Sequence, residues 1–280
     1  MWERCAAPAL MVAAGLSMYA GAALAVGLFD VLPPTLVAWL RIAAAGVLLL
    51  VLRRPRPGEF LGRPGAIAAV FGVVTLGMNM SFYQAIATLP LGTAVAIEFL
   101  GPIAVAAWGS RSIRDWCALL LAGGGVSVLS GVQWSASAAG VVFALLAAAL
   151  WALYIVVGAR VAKTRSKNSL AVSFCWAAVL AIPLAILLWP AGADGGVGMP
   201  TWQLLALAAG LGLLSAVIPY SLDQVILRIT SPDYFAVLLA LLPLTAALLG
   251  AVVLGQVLSF AEMLGITAVV AAVVLRQQRR

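Results

Sequence analysis

The amino-acid sequence predicts an all-α membrane protein, with ten transmembrane helices arranged as two inverted five-helix repeats. Three observations carry that expectation: few charges, a one-sided distribution of the basic residues, and a proline-centred pattern that recurs in the two halves. Of 280 residues, 65% are hydrophobic and 9% are charged, whereas a soluble domain carries roughly 25% charged residues. Mean hydropathy is +1.14. Uncharged runs at 5–29, 64–97, 116–159, 168–193, 195–222 and 234–261 each hold at least one span of about 20 residues, the length that crosses a bilayer.

Taken in order, these runs divide at polar or Gly/Pro breaks. The first helix, 8–28, stops at "FDVLPP" (29–34). Its apolar stretch is too long for a signal peptide, and no soluble body follows a cleavage site, so it is expected to stay as a span. The second, 34–52, contains Arg41 and ends at Arg53-Arg54; the third, 65–87, ends at "TLPLG" (88–92). The fourth, 90–108, contains Glu98, Gly101 and Pro102, and the fifth, 116–132, stops at "VQWSAS" (132–137). Helices over 138–159, 169–189, 202–227, 234–254 and 260–275 follow, the last two separated by "GQVLS" (255–259). Asp115, Asp233 and Glu262 read as helix-start residues, where an acid suits the positive end of the dipole.

The formal net charge is +7, which by itself would fit an anionic partner. Position argues otherwise. With the N-terminus taken as cytoplasmic, every Lys and Arg except Arg41 falls on one side of the ten-helix arrangement, while the opposite loops hold Asp30 and Asp194. That is the positive-inside pattern; it places both termini in the cytoplasm and leaves no role for nucleic acid. Cys5, Cys117 and Cys175 imply no disulfide framework. The absence of histidine removes the commonest metal ligand and the usual neutral-pH proton carrier.

The internal repeat rests on two pairs of segments. "AIEFLGPIAVAAW" (96–108) and "VLLALLPLTAALL" (237–249) each hold a mid-span proline, Pro102 and Pro243. About the same distance separates "NMSFYQ" (79–84) from "PYSLDQ" (219–224). Five helices per copy is odd, so the second copy enters from the opposite face, as in secondary transporters whose sites lie between the halves. Helix breaks at matching positions, here Pro102 and Pro243, point to such a site; the bland alternative is a pair of structural kinks.

Two charges lie deep, Arg41 and Glu98, each seven or eight residues past its helix start and so roughly 10–12 Å down. A charge at mid-bilayer costs at least ~2.5–3.5 kcal/mol, so neither should face lipid. Mutual pairing or a bound ligand would satisfy them. Asn79 arrives at similar depth on the third helix, with Tyr83 one turn nearer the outside; the sixth helix brings Trp151 and Tyr154, and the first offers Ser17 and Tyr19. Packing is the competing reading for each aromatic, and a structural ion pair for Arg41 with Glu98. Asp223, five residues before Arg228, reads equally as a solvated helix-end carboxylate or as the mouth of an inner vestibule. Pro102 cannot donate a backbone hydrogen bond and crowds the carbonyl of Glu98, four residues back, while Gly101 lets a neighbouring helix approach. Kink and carboxylate together make a polar notch in an apolar wall. Desolvation disfavours the charged form of a carboxyl group, which suits proton-coupled transport.

The stretches "MNMSFYQAIATLPLGTAVAIEFLGPIAVA" (78–106), "WALYIVVGARV" (151–161) and "SAVIPYSLDQ" (215–224) resemble the EamA family of the drug/metabolite transporter superfamily, in particular its bacterial threonine/homoserine exporter branch. The resemblance implies repeats over 1–135 and 136–280, a multi-pass inner-membrane location, and export of small metabolites driven by the proton gradient. The matching positions are Arg41, Asn79, Glu98, Pro102, Trp151, Tyr154, Pro219 and Tyr220. Leu242 and Gln256 depart from the branch, which commonly carries Glu at both places. The expected function is therefore export of amino acids or related metabolites by proton-coupled alternating access. Substrate binding falls to Arg41, Asn79, Tyr83, Glu98, Trp151 and Tyr154, and proton coupling to Glu98 or Asp223. The alternative is a broad-specificity drug/metabolite exporter in which the buried charges are structural. Expected partners are a small-molecule substrate, protons and the lipid bilayer, with a homodimer allowed. No metal or other cofactor is called for, and no phosphate-binding Gly loop or nucleophile motif suggests an enzyme.

Overall fold

A computed structural model describes residues 2–29, 31–89, 91–129, 137–163, 166–190, 200–245 and 260–277. Among these residues the regular structure is helical, with no strand. The elements are α1 (Trp2–Phe29), α2 (Pro34–Arg53), a 3₁₀ turn (Pro57–Phe60), α3 (Gly62–Ile86), α4 (Leu91–Glu98), α5 (Leu100–Trp108) and α6 (Ile113–Leu129). Then come α7 (Ala138–Ala162), α8 (Ser169–Leu180), α9 (Ile182–Leu188), α10 (Thr201–Gly212), a π-helical turn (Leu213–Val217), α11 (Ile218–Ile229), α12 (Pro232–Leu238) and α13 (Phe260–Gln277).

Among the described residues, Pro34–Arg53, Gly62–Ile86, Ala138–Ala162 and Thr201–Ile229 are each long and apolar enough to cross a membrane alone. The pair α8 and α9, bent by 49°, makes a fifth if taken as one span. Large apolar side chains such as Val51, Ile186 and Leu187 are well exposed on these helices. A helix apolar all round belongs in a core or in lipid.

Three expected helices are divided, each ahead of a proline. Residues 90–108 form two helices, α4 and α5, broken at Phe99, three residues before Pro102. Residues 169–189 divide at Ala181, two residues before Pro183. Helical residues 232–238 and 241–245 are separated by a turn at Leu239 and Ala240, ahead of Pro243. In each case the ring removes an N–H and crowds the carbonyl four residues back. Residues 246–254 of the expected ninth helix and the "GQVLS" break lie outside the described residues, as does most of "VQWSAS". Pro8 lies inside α1 rather than at its start.

The core is built by pairing early helices with late ones. Helix α3 packs on α7 and α8, α2 on α8 and α10, α6 on α13, α1 on α11, and α5 on α7 and α12. Phe71, Tyr154, Phe174, Phe235, Ile226 and Leu227 are fully buried at its centre. In lipid, where apolar area gives little drive, association relies on close backbone approach and interhelical hydrogen bonds averaging about 0.6 kcal/mol. Both devices are present. A Cβ on Gly101 would collide with the backbone of Ala148, and one on Gly21 would sit 2.7 Å from the Ser215 Cβ. Trp39 Nε1 donates to the Ala178 carbonyl at 3.0 Å. Asp115 accepts from the Arg111 and Ser112 amides at 2.9 and 3.0 Å at the start of α6, the role expected of it.

Candidate functional site

Arg41, buried on α2, reaches the π-helical turn. Its Nη2 donates to the Ser215 carbonyl at 2.6 Å. Ser215 lies four residues before Pro219, so the N–H that would bind this carbonyl in an α-helix does not exist. The proline frees an acceptor and the arginine takes it. Longer contacts run from Nη2 to the Tyr220 hydroxyl at 3.4 Å and from Nη1 to the Tyr83 hydroxyl at 3.5 Å. The guanidinium also lies 5.7 Å from the Tyr220 ring centroid, within cation–π range. Its Nε is buried without a partner.

Tyr220 links this arginine to the rest of the cluster. Its hydroxyl accepts from Asn79 Nδ2 at 2.8 Å, and Asn79 also donates to the Thr75 carbonyl at 2.7 Å. The Tyr220 ring packs 5.6 Å from Tyr154 and 5.5 Å from Phe174. Tyr154, stacked at 5.1 Å on Phe71, donates its hydroxyl to Asp223 Oδ2 at 2.6 Å. Asp223 is buried, which rejects the solvated helix-end reading. The neighbouring Arg228 turns away from it and donates Nε to the Ala162 carbonyl at 2.7 Å, at the end of α7.

Glu98 ends α4 and is also buried. It makes no hydrogen bond with the described residues, yet it lies near enough to Arg41 to interact with it electrostatically. The direct ion pair allowed from sequence is therefore not formed; tyrosines and a carbonyl surround the guanidinium instead. Phe99, at the break, meets Trp151 edge-on at 6.0 Å. Trp151 thus packs on the break that follows Glu98, outside the hydrogen-bonded cluster. The Gly101–Ala148 approach holds α5 against α7, so Gly101 of the expected notch faces the helix that carries Trp151 and Tyr154.

Arg41, Asn79, Tyr83, Tyr154 and Asp223 are thus brought together, with Glu98 and Trp151 adjoining. Ser17 and Tyr19 are not part of the cluster. They donate to the Leu214 and Leu242 carbonyls at 2.6 and 2.8 Å and tie α1 to the breaks in the late helices. Pro243 lies in the short helical stretch 241–245. The residue that composition and motif left out is Ser215, whose contribution is a carbonyl. The available signal was the four-residue spacing from Ser215 to Pro219, the same as from Glu98 to Pro102.

The EamA-like transporter family matches residues 138–276. The threonine/homoserine exporter RhtA of Escherichia coli strain K12 is 32% identical over 266 residues, 94% of this chain and 88% of that protein. RhtA of Salmonella typhimurium strain LT2 is 32% identical over 259 residues, 91% of this chain and 86% of its own. One solved crystal structure superimposes with a TM-score of 0.74 over 96% of both chains at 21% identity, a likeness of fold alone.

Proposed function

The chain belongs to the EamA-like transporter family, and from that premise we propose that it exports amino acids of the threonine/homoserine kind, or closely related metabolites, by proton-coupled alternating access. The observation that carries the reading is a pair of incompletely satisfied buried charges. Arg41 keeps a free Nε, and Glu98 has no hydrogen bond to the described residues. An α-amino acid presents a carboxylate and an ammonium close together. The carboxylate takes the arginine, the ammonium takes Glu98, and protonation of Glu98 releases it. A buried polar group left unpaired costs about 1–3 kcal/mol, so substrate binding relieves both charges at once. Asn79 and Tyr220 hold the arginine side of the site, while Phe99 and Trp151 wall the acid side. Asp223, already engaged by Tyr154, is the second group for proton coupling.

The architecture in this reading is ten spans in two inverted repeats, 1–135 and 136–280, in the inner membrane with both termini cytoplasmic. Support comes from the basic loops and from the matching breaks ahead of Pro102 and Pro243. The Asn79–Tyr220 hydrogen bond joins the two similar stretches "NMSFYQ" and "PYSLDQ".

A second reading, broad export of drugs or metabolites with structural charges, draws on the Arg41–Ser215 bond, which by itself cross-links α2 to the π-helical turn. Efflux from proteoliposomes loaded with labelled threonine, homoserine, other amino acids and apolar drugs separates the two. Saturable efflux of threonine or homoserine, quickened by a proton gradient, supports the first reading. Efflux of drugs without that of amino acids rejects it.

A further inference from the structure

We propose that a groove between α3 and α7, at the end of the bundle that carries the basic loops, binds one anionic phospholipid. Arg63 and Arg160 would hold its phosphate, with an acyl chain lying against Ile67, Val70 and Val157. The groove has a volume of about 430 Å³ and is lined by Arg63, Ala66, Ile67 and Val70 of α3 with Val157 and Arg160 of α7. It belongs to neither the Arg41 cluster nor the Glu98 notch, and its occupant does not depend on what the protein exports.

The chemistry of its walls changes along the membrane normal. Arg63 is the second residue of α3, and Arg160 lies in the last turn of α7. The helices run antiparallel here, one leaving the basic loops and the other returning to them, so both exposed guanidiniums sit at one rim. Val70 lies seven residues further into α3, roughly 10 Å deeper at 1.5 Å per residue, and is 50% exposed. Val157 lies one turn below Arg160. Cations above and aliphatic carbon below match a phosphate with its acyl chain. A free phosphate ion would use the arginines and leave the apolar wall empty. A soluble protein segment would have to enter the hydrocarbon region, because these walls belong to helices long enough to span it.

Charge complementarity is not cancelled locally. Among the described residues, no carboxylate lines the groove. Glu59, the acid nearest to Arg63 in sequence, accepts hydrogen bonds from Ser166 and Asn168 at 2.8 and 2.9 Å. Basic pockets between membrane helices on the side of the basic loops are sites for acidic headgroups, each Lys or Arg near such a surface adding about 1 kcal/mol.

The test uses the full-length protein purified in detergent. Phosphatidylglycerol and phosphatidylcholine of identical chains are titrated and read by native mass spectrometry, and phosphatidylglycerol and inorganic phosphate are compared by protection against thermal unfolding. Expected is preferential retention of phosphatidylglycerol, weakened roughly fivefold by each of Arg63→Gln and Arg160→Gln, with phosphatidylcholine binding unchanged. Val70→Trp, which fills the lower groove without touching charge, should also weaken it, and Arg53→Gln at the end of α2 should not. Phosphatidylglycerol binding that survives the double arginine change or Val70→Trp would overturn the proposal. So would protection by inorganic phosphate equal to that by the lipid.

Discussion

Arg41 Nη2 lies 2.6 Å from the carbonyl oxygen of Ser215, the residue four positions before Pro219. A proline and an arginine on different helices thereby solve each other's problem. Pro219 removes the N–H that an α-helix would offer this carbonyl, and the buried cation supplies a donor. Glu98 stands in the same relation to Pro102, so the spacing recurs beside each of the two charges.

Restoring the missing donor should therefore separate transport from stability. In Pro219→Ala, the new N–H can take the Ser215 carbonyl within the helix and compete with Arg41. Reversible unfolding in detergent should show no loss of stability, because interior proline disfavours a helix by about 3 kcal/mol. Efflux should fall at least about tenfold, the equivalent of ~1.4 kcal/mol of lost positioning.

Tyr154 and Asp223 should behave as one unit. Tyr154→Phe removes the hydroxyl that donates to Asp223 at 2.6 Å and leaves a buried carboxyl without its donor, a loss of about 1–3 kcal/mol. Adding Asp223→Asn to that background should cost less than it does in wild type. Unfolding midpoints of the two single variants and the double variant give the coupling, expected to exceed ~0.5 kcal/mol.

Gly101 is predicted to tolerate no side chain. A Cβ there meets the Ala148 backbone, which cannot rotate aside as a side chain would. Gly101→Leu should destabilise the protein by about 1–3 kcal/mol or more. Gly58→Leu, at a position with open space around the added atom, should leave the melting temperature within experimental error.

How much of this was legible in the sequence depends on the element. The second helix was expected over 34–52 and is found over Pro34–Arg53, because Pro33-Pro34 and Arg53-Arg54 bound an otherwise apolar run. The Arg41, Asn79 and Tyr154 cluster was legible because polar groups at mid-span have few places to go. The division at Ala181 was not anticipated, since proline is tolerated in many membrane helices and its effect depends on neighbours. Asp223 was ambiguous for a definite reason. Its proximity to Arg228 in sequence suggested a wet helix end, but Arg228 is spent on the Ala162 carbonyl at the end of α7, where a cation suits the terminal carbonyls. Ser215 was missed because its contribution is backbone.

At the basic end, Glu59 should make the pairing of two loops pH-dependent. Hydrogen bonds from the Arg56 amide, then from Asn168 and Ser166, hold its carboxyl below the usual carboxylate range. A depressed value means that the folded state favours the charged form. The contribution is therefore present above the ordinary carboxylate pKa and is lost as pH falls through the folded one. Hydrogen exchange of the amides at 166–169 should be slow at neutral pH and quicken in acid beyond the change in intrinsic rate. In Glu59→Gln it should show no such acid-specific step.

The central claim is that Arg41 and Glu98 together form the substrate site, and Glu98→Gln tests it most directly. Proteoliposomes holding wild type or this variant, each verified as folded, are loaded with labelled threonine, and efflux is followed with and without a proton gradient. Wild type should transport threonine faster with the gradient, whereas Glu98→Gln should lose that acceleration and most of its rate. Efflux by the variant at the wild-type rate, with the same response to the gradient, would contradict the claim.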